Sequence, residues 1–377
     1  MQGTTLAAEE MQRRLIAGLR AARCYPHAVR QVRLIETHIS WVLLAGRYAY
    51  KIKKAVNLGF LDFTTLELRR HFCAEEIRLN RRLAPQLYLD VIPIGGTPEQ
   101  PELGALPALE YAVRMRRFAA SSELHRLLLR GQLQPQHMDA LAAAIAEFHA
   151  SLPAADAASV WGAPGAIHAA ALENFAHLQA LLADAADAHS VHLLREASER
   201  SYAACEALFE LRRAQGQIRE CHGDLHLGNI VLIGGLPVPF DGIEFSPALR
   251  WIDVISEIAF TVMDLLHHRH PDLAWRLLNA YLQATGDYGG VSVLRFYIAY
   301  RAAVRAKVSA IRAAQADMSK RAWKQEMANC RSYIALATAQ LACQLPALII
   351  THGLPGSGKT TFAQAALERL QAIRIRS

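Results

Sequence analysis

The chain has 377 residues, 52% of them apolar and 20% charged, with a formal net charge of +7. That length allows two or three folding units, and the balance of apolar and charged residues excludes a disordered or collagen-like chain. The positive charge suits an anionic ligand, but Lys and Arg are dispersed and no nucleic-acid motif is present, so nucleic acid is not expected as the partner.

Residues 6–24 carry apolar positions at Leu6, Ile16 and Leu19 with charges between them, which predicts a helix. Val42-Leu-Leu and Tyr48-Ala-Tyr flank Ala45-Gly46-Arg47 and read as a hairpin. The second strand continues through Lys51-Ile-Lys-Lys54, and strand alternation puts Lys51 and Lys53 on one face with Ile52 on the other. A charged helix follows over Thr65–Leu83, stopped at Pro85. Strands are expected at Leu87–Ile94 and Leu109–Met115, joined by a Gly- and Pro-rich loop. The sum is a small, mostly antiparallel sheet with one helix, ending near residue 118.

From Ser121 to Gln215 nearly everything reads as helix, punctuated by Gly131, Pro135, Pro153 and Pro164. A short hairpin about Gly234-Gly235 interrupts the helices, which resume from Ile252 and run to about Cys343. Arg301, Arg305, Lys307 and Arg312 are expected on a solvated helix face. The last segment reads as a short strand, Ala347–Ile350, then a glycine-rich loop and a helix from Thr361 to Leu370. The expected organisation is three units: 1–118, 119–343 and 345–377.

The six cysteines form no Cys-x-x-Cys pair and are too sparse for a disulfide scaffold. They read as reduced thiols in a cytoplasmic protein, with Cys221 a small buried hydrophobe. Glu9, Glu10, Arg13 and Arg14 interrupt any secretory signal, and no apolar run reaches the ~18 residues of a membrane span. No membrane partner is expected, and the oligomeric state is left open.

The informative stretch is Cys221-His-Gly-Asp-Leu-His-Leu-Gly-Asn229, followed by Phe240-Asp241-Gly242. Transfer of a phosphoryl group requires an oriented acceptor hydroxyl, a divalent metal on the phosphates and a cation against the triphosphate. Asp224 would orient the hydroxyl or accept its proton. Asn229, five residues on, and Asp241, after the next hairpin, would hold Mg²⁺ through oxygen. The spacing matches the protein-kinase pattern. Lys51 is the candidate cation, with Glu76 as its fixing partner; Lys53 and Glu75 are the register alternatives. His222 and His226 read as loop histidines, since their spacing fits no common zinc pattern. The Gly-x-Gly-x-x-Gly loop of protein kinases is absent. Thr37-His-Ile-Ser40 stands at the first hairpin turn and could cover phosphates instead, and the adenine is expected near Arg114–Arg117.

These motifs resemble the aminoglycoside phosphotransferase superfamily of kinase-like enzymes. Tyr50-Lys-Ile-Lys-Lys54 through Gly59-Phe-Leu-Asp-Phe63, and Arg81-Arg-Leu-Ala-Pro85, resemble a bacterial branch in which such a domain is fused to a C-terminal P-loop kinase-like ATPase. The resemblance implies an α+β, bilobal, protein-kinase-like fold with an antiparallel-sheet N-lobe and a mostly helical C-lobe. It implies ATP and Mg²⁺ as cofactors and a small-molecule hydroxyl as acceptor, with Asp224 catalytic, Asn229 and Asp241 metal ligands, and Asp253 a support for the catalytic loop. Antibiotics, choline, sugars and other small alcohols all stay open as acceptors. Glu244 and Glu257 are candidates to line a pocket for a cationic one, or to be structural.

Gly353-Leu-Pro-Gly-Ser-Gly-Lys-Thr360 matches the P-loop pattern between an expected strand and helix. Gly353, Gly356 and Gly358 would let the backbone cradle phosphate, Lys359 would reach it, and Thr360 would meet Mg²⁺. Only 17 residues follow Thr360, and a βαβ unit takes ~30. The segment is therefore expected to be the start of a P-loop α/β unit with little turnover of its own, either docked on the preceding domain or disordered. The alternatives to a small-molecule phosphotransferase are a protein kinase, disfavoured by the missing glycine loop and activation segment, and a non-catalytic nucleotide-binding or regulatory protein.

Overall fold

The structure, a computed structural model, describes residues 2–59, 61–156, 158–315, 318–342 and 347–375, with side chains from residue 8 onward. Cys343 and Phe60, both named above, lie outside the described residues. The chain divides into two compact units, the first comprising residues 1–127, 229–233 and 238–249 and the second the remainder.

The first unit opens with helix α1 (Gln2–Gly18), followed by β1 (Val32–Glu36), β2 (Ser40–Ala45) and β3 (Tyr48–Lys53). Helix α2 (Leu66–Asn80) comes next, then β4 (Tyr88–Gly96), β5 (Pro101–Leu103) and β6 (Glu110–Arg116). The six strands form one antiparallel sheet in the order β1-β2-β3-β6-β4-β5. The hairpin expected about residue 46 is the β2–β3 pair, with Ala45 opposite Tyr48. Gly46 has φ +58°, and a Cβ there would stand 2.7 Å from the Ala28 carbonyl oxygen, so the tight turn needs glycine.

Each face of the sheet has its own apolar cluster. Leu15 and Ile16 of α1, with Leu19 just after it, pack with Leu43, Tyr50 and Ile52. Cys73 and Ile77 of α2 pack with Ala49, Val113 and Tyr88. The period-two alternation of β3 sends Ile52 to one cluster and leaves Lys51 and Lys53 on the α2 side. Thr65 caps α2 by accepting the Leu68 N–H.

Helix α3 (Leu124–Leu129) leads into the second unit, which holds α4 (Pro135–Ser151), α5 (Pro164–Leu181), α6 (Ala185–Ala214) and β7 (Ile218–Glu220). Strands β8 (Ile230–Ile233) and β9 (Leu236–Pro239) form the short hairpin expected about Gly234-Gly235. The chain continues through α7 (Pro247–Arg250) and β10 (Trp251–Asp253) into α8 (Val254–His267), α9 (Pro271–Thr285), α10 (Val291–Ala313), α11 (Lys320–Leu341) and α12 (Lys359–Leu370). Strands β7 and β10 pair antiparallel. Helix α8 is the axis of this unit: every residue from Val254 to Leu265 is buried. The expected antiparallel-sheet part and mostly helical part are both present. No helix among the described residues is long and apolar enough to cross a membrane.

The expected strand at Ala347–Ile350 is absent; those residues are non-regular and exposed, with Leu348 at 86%. A strand needs a neighbour for its backbone groups, and none of the described residues pairs with it. The following helix α12 does dock, on α9. Leu367 is buried, Arg276 pairs with Glu368, and the Asn279 side chain donates to the Ala372 carbonyl and accepts the Arg374 N–H.

Candidate functional site

Within the first unit, strand β3 and helix α2 build a chain of buried charge. Lys51 Nζ lies 2.9 Å from Glu76 Oε1 and 2.5 Å from Asp241 Oδ1. Lys53 Nζ takes the other Glu76 oxygen at 2.7 Å and also bonds Glu244. The sequence alternatives are thereby resolved in part: Glu75 points outward and pairs with Arg78, whereas Glu76 is fully buried and receives both lysines. Glu244 is buried and pairs with Lys53.

Electrostatics keep this chain ionised at Lys51 and Glu76. Burial opposes the Lys51 charge, but Asp241, Glu76 and Glu244 outweigh it and lift the lysine well above its ordinary value. Burial likewise acts to raise Glu76, yet Lys51 and Lys53 bring it down to about 2. Glu244 goes the other way, because burial exceeds the pull of Lys53.

The Asp241 segment is pinned along its backbone. The Asp241 N–H donates to the Tyr88 hydroxyl at 2.9 Å and the Gly242 N–H to Asn80 Oδ1 at 2.7 Å. The Phe240 N–H donates to the Asn229 carbonyl at 2.9 Å, so the hairpin closes the two expected metal-binding positions onto neighbouring backbone. The Asp241 carboxylate remains 43% exposed. A carboxylate left open in this way offers oxygen donors of the kind a hard divalent cation takes.

Within the second unit, the loop around Asp224 hangs on one face of α8. Glu257 accepts the N–H groups of His222 at 2.6 Å and Gly223 at 2.9 Å. Thr261 donates to the Leu225 carbonyl, and Asp264 accepts the Leu227 N–H. Positions 257, 261 and 264 follow the helical i, i+4, i+7 spacing. Gly223 has φ +87°, a conformation suited to glycine. A Cβ at Gly228 would come within 2.8 Å of the His226 ring.

Arg301 was expected on a solvated face. It is buried instead, donating to the Gly223 and Ser256 carbonyls and lying over the Phe260 ring. Burying a guanidinium is tolerable only with such acceptors. Burial acts to raise the Asp224 value, but His226, Arg305 and His222 hold it below the usual carboxylate range. His226 behaves as a loop histidine: Nδ1 accepts the Gly228 N–H at 3.0 Å, and Nε2 lies 3.5 Å from Asp224.

Asp253, expected to support the catalytic loop, sits at the start of the helix on which that loop hangs. It caps α8 by accepting the Ile255 N–H and forms a two-bond pair with Arg212, which also holds Asp287. Direct support of the loop comes from Glu257, one helical turn later. His149, Cys221 and Glu257 have ligand atoms within 4.8 Å of one another and are all buried. Burial lowers His149 to about 3, aided by Arg219, and its Nδ1 meets the Tyr281 hydroxyl. Since Glu257 already accepts two N–H groups, this cluster reads as a packed polar support beneath the loop.

In the C-terminal segment, Gly356 and Gly358 have positive φ and Gly358 is the N-cap of α12. Lys359 folds back onto the Gly353 and Leu354 carbonyls, 2.6 Å from each.

Residues 66–239 match the phosphotransferase enzyme family, and residues 348–377 match the AAA domain family. Uncharacterised proteins of Mycobacterium tuberculosis and Mycobacterium bovis are 33% identical over 341 residues, 89% of this chain. The chain spans 65% of the length of these curated relatives. Among solved structures, an amicoumacin kinase in complex with AMP-PNP and Ca²⁺ superposes with TM-score 0.54 at 12% identity, covering 88% of this chain and 96% of that one. A choline kinase from Cryptosporidium parvum gives 0.52 at 12% identity, covering 86% and 94%. A choline/ethanolamine kinase family protein from Mesorhizobium loti gives 0.50 at 13% identity, covering 88% and 99%. Part of the chain, residues 66–239, thus resembles the phosphotransferase enzyme family and its end the AAA domain family, and the solved kinases share its fold.

Proposed function

We propose that the chain is an ATP- and Mg²⁺-dependent phosphotransferase that moves the γ-phosphate onto a hydroxyl of a small molecule. The observation that carries this reading is Lys51 bridging Glu76 and Asp241, a fixed cation beside an open, metal-competent carboxylate. In this reading Lys51 neutralises phosphate charge and Glu76 holds its orientation. Asn229 and Asp241 hold Mg²⁺, which when bound neutralises charge on the phosphate oxygens. Asp224, ionised on its Glu257-anchored loop, orients the acceptor hydroxyl and takes its proton. The acceptor oxygen bonds to the γ-phosphorus, the bond from that phosphorus to the bridging oxygen breaks, and ADP leaves with the electron pair.

The similarity to a choline kinase, a choline/ethanolamine kinase family protein and an amicoumacin kinase supports a small hydroxyl-bearing acceptor. We further propose three functional regions, 1–118 for nucleotide, 119–343 for catalysis and acceptor, and 345–377 as the start of a P-loop unit. In the last, Gly353, Gly356, Gly358, Lys359 and Thr360 would form a second phosphate cradle. The Lys359 contacts with loop carbonyls would then be exchanged for phosphate oxygens.

The test is transfer from labelled ATP to a panel of small alcohols, sugars, choline and aminoglycosides, run beside Asp224→Ala. A labelled product with wild type, and loss of transfer with retained Mg-ATP binding in the variant, is expected. Transfer or ATP hydrolysis unchanged by Asp224→Ala would remove Asp224 from the chemistry and favour a nucleotide-binding role.

A further inference from the structure

Lys53 forms a second buried ion pair that the proposed chemistry does not require. Its ammonium is buried between Glu76 and Glu244. Lys51 bridges the other Glu76 oxygen to Asp241. One carboxylate therefore takes two lysines, and each lysine takes a second acid from the same four-residue segment, Asp241 to Glu244. The backbone of that segment is also fastened, at Asp241 by Tyr88 and at Gly242 by Asn80, whose amide in turn donates to the Glu76 carbonyl.

The fastening has something to oppose. Asp241 has φ +64°, a left-handed conformation that residues other than glycine seldom adopt. Such a conformation persists where its surroundings over-determine it. A buried ion pair is a poor source of net stability, since a well-packed apolar pair often does as well. Its effect here is better sought in geometry: Glu244 is the only acid of the segment joined to Lys53 among the described contacts, and it lies three residues from the exposed carboxylate.

We propose that Lys53 and Glu244 are positioning residues that set how the Asp241 carboxylate is presented to a divalent cation. This rests on the reading of Asp241 as a metal ligand. Lys51 and Glu76 hold the side chain of Asp241 from one end, and Lys53 and Glu244 hold its segment from the other. Loosening the second hold should weaken metal engagement while leaving the phosphate-facing lysine in place.

The experiment titrates MgCl₂ at constant ionic strength against binding of a fluorescent ATP analogue to the full chain, with thermal unfolding measured in parallel. The variants are Lys53→Met/Glu244→Leu, Glu244→Gln and Asp241→Asn. The double variant should keep a melting temperature near wild type and bind metal-free nucleotide as wild type does. Its Mg²⁺ requirement should rise roughly tenfold or more, as supporting contacts of metal ligands commonly do when removed. Glu244→Gln, which preserves shape, should shift in the same direction and stands in if the double variant does not fold. A Mg²⁺ requirement within about twofold of wild type in every one of these two variants that folds, with Asp241→Asn strongly impaired, would overturn this proposal alone. A Mg²⁺ requirement unchanged by Asp241→Asn would overturn the metal-ligand reading and this proposal with it.

Discussion

Lys51 Nζ stands 2.5 Å from Asp241 Oδ1, on a carboxylate that keeps 43% of its surface exposed. The lysine is also held by Glu76, so in the proposed reading its orientation towards a phosphate is fixed by two carboxylates. Replacing Lys51 with Met should lower transfer by about 100- to 1,000-fold, the usual effect of losing one fixed electrostatic contact to developing charge. Steady-state kinetics across MgCl₂ concentrations would check this. Asp241→Asn should instead raise the metal requirement, separating the two roles.

Acidification should reach the same site through Glu76. Burial acts to raise its value, but Lys51 and Lys53 overcome this and lower it from 4.5 to about 2. A lowered folded value contributes stability above the ordinary one, and that contribution is lost as pH falls from 4.5 towards about 2. Lys51, raised above 10.5, contributes below that value and loses its effect only at higher pH. Stability from this pair should thus be flat around neutrality and fall in acid. Glu76→Gln should cost roughly 3–5 kcal/mol at neutral pH by leaving two buried ammonium groups short of a partner. It should also flatten the acid decline in urea midpoints, and an undiminished decline would assign that slope to other carboxylates.

Glu257 accepts two successive backbone N–H groups from the Asp224 loop. Glu257→Gln retains one acceptor and turns a donor towards the other N–H, which should cost about 2 kcal/mol. Phosphate transfer should fall further than stability alone explains, because Asp224 loses its fixed position. Denaturant unfolding and single-turnover transfer on the same preparation would separate the two effects.

Asn279 joins α9 to the C-terminal segment through both ends of its amide. Asn279→Ala removes both bonds, each worth about 1 kcal/mol. Trypsin cleavage at Arg369 and Arg374 should accelerate in that variant, with the cleavage pattern of the preceding domain unchanged. Equal cleavage rates would mean that Leu367 and the Arg276–Glu368 pair hold α12 without it.

Local spacing explains what could be read in advance. The interval from Asp224 to Asn229 and then Asp241 is a property of a loop and one hairpin, and the Lys51/Lys53 face follows from strand alternation. The polar positions Glu257, Thr261 and Asp264 also carried a signal, a helical stripe of acceptors and donors inside the mostly apolar α8. That stripe was legible as periodicity, but nothing local said that it faced the Asp224 loop. Arg301 was misassigned to a solvated face for the same reason. Its acceptors are carbonyls 45 and 78 residues away in the chain.

The sequence by itself determined the kinds of groups present, the sheet-then-helix order and the spacing of the motif. Hydrogen-bonding and apolar periodicities act over a few residues, and those are written in neighbouring positions. Only the tertiary structure decided that Glu76 rather than Glu75 turns inward, that Lys53 shares it with Lys51, and that Glu244 closes the charge chain at the end opposite Asp241. Which acid meets which base depends on how strand, helix and loop pack after long stretches of intervening chain. Buried charge has to find its partner wherever that packing places it.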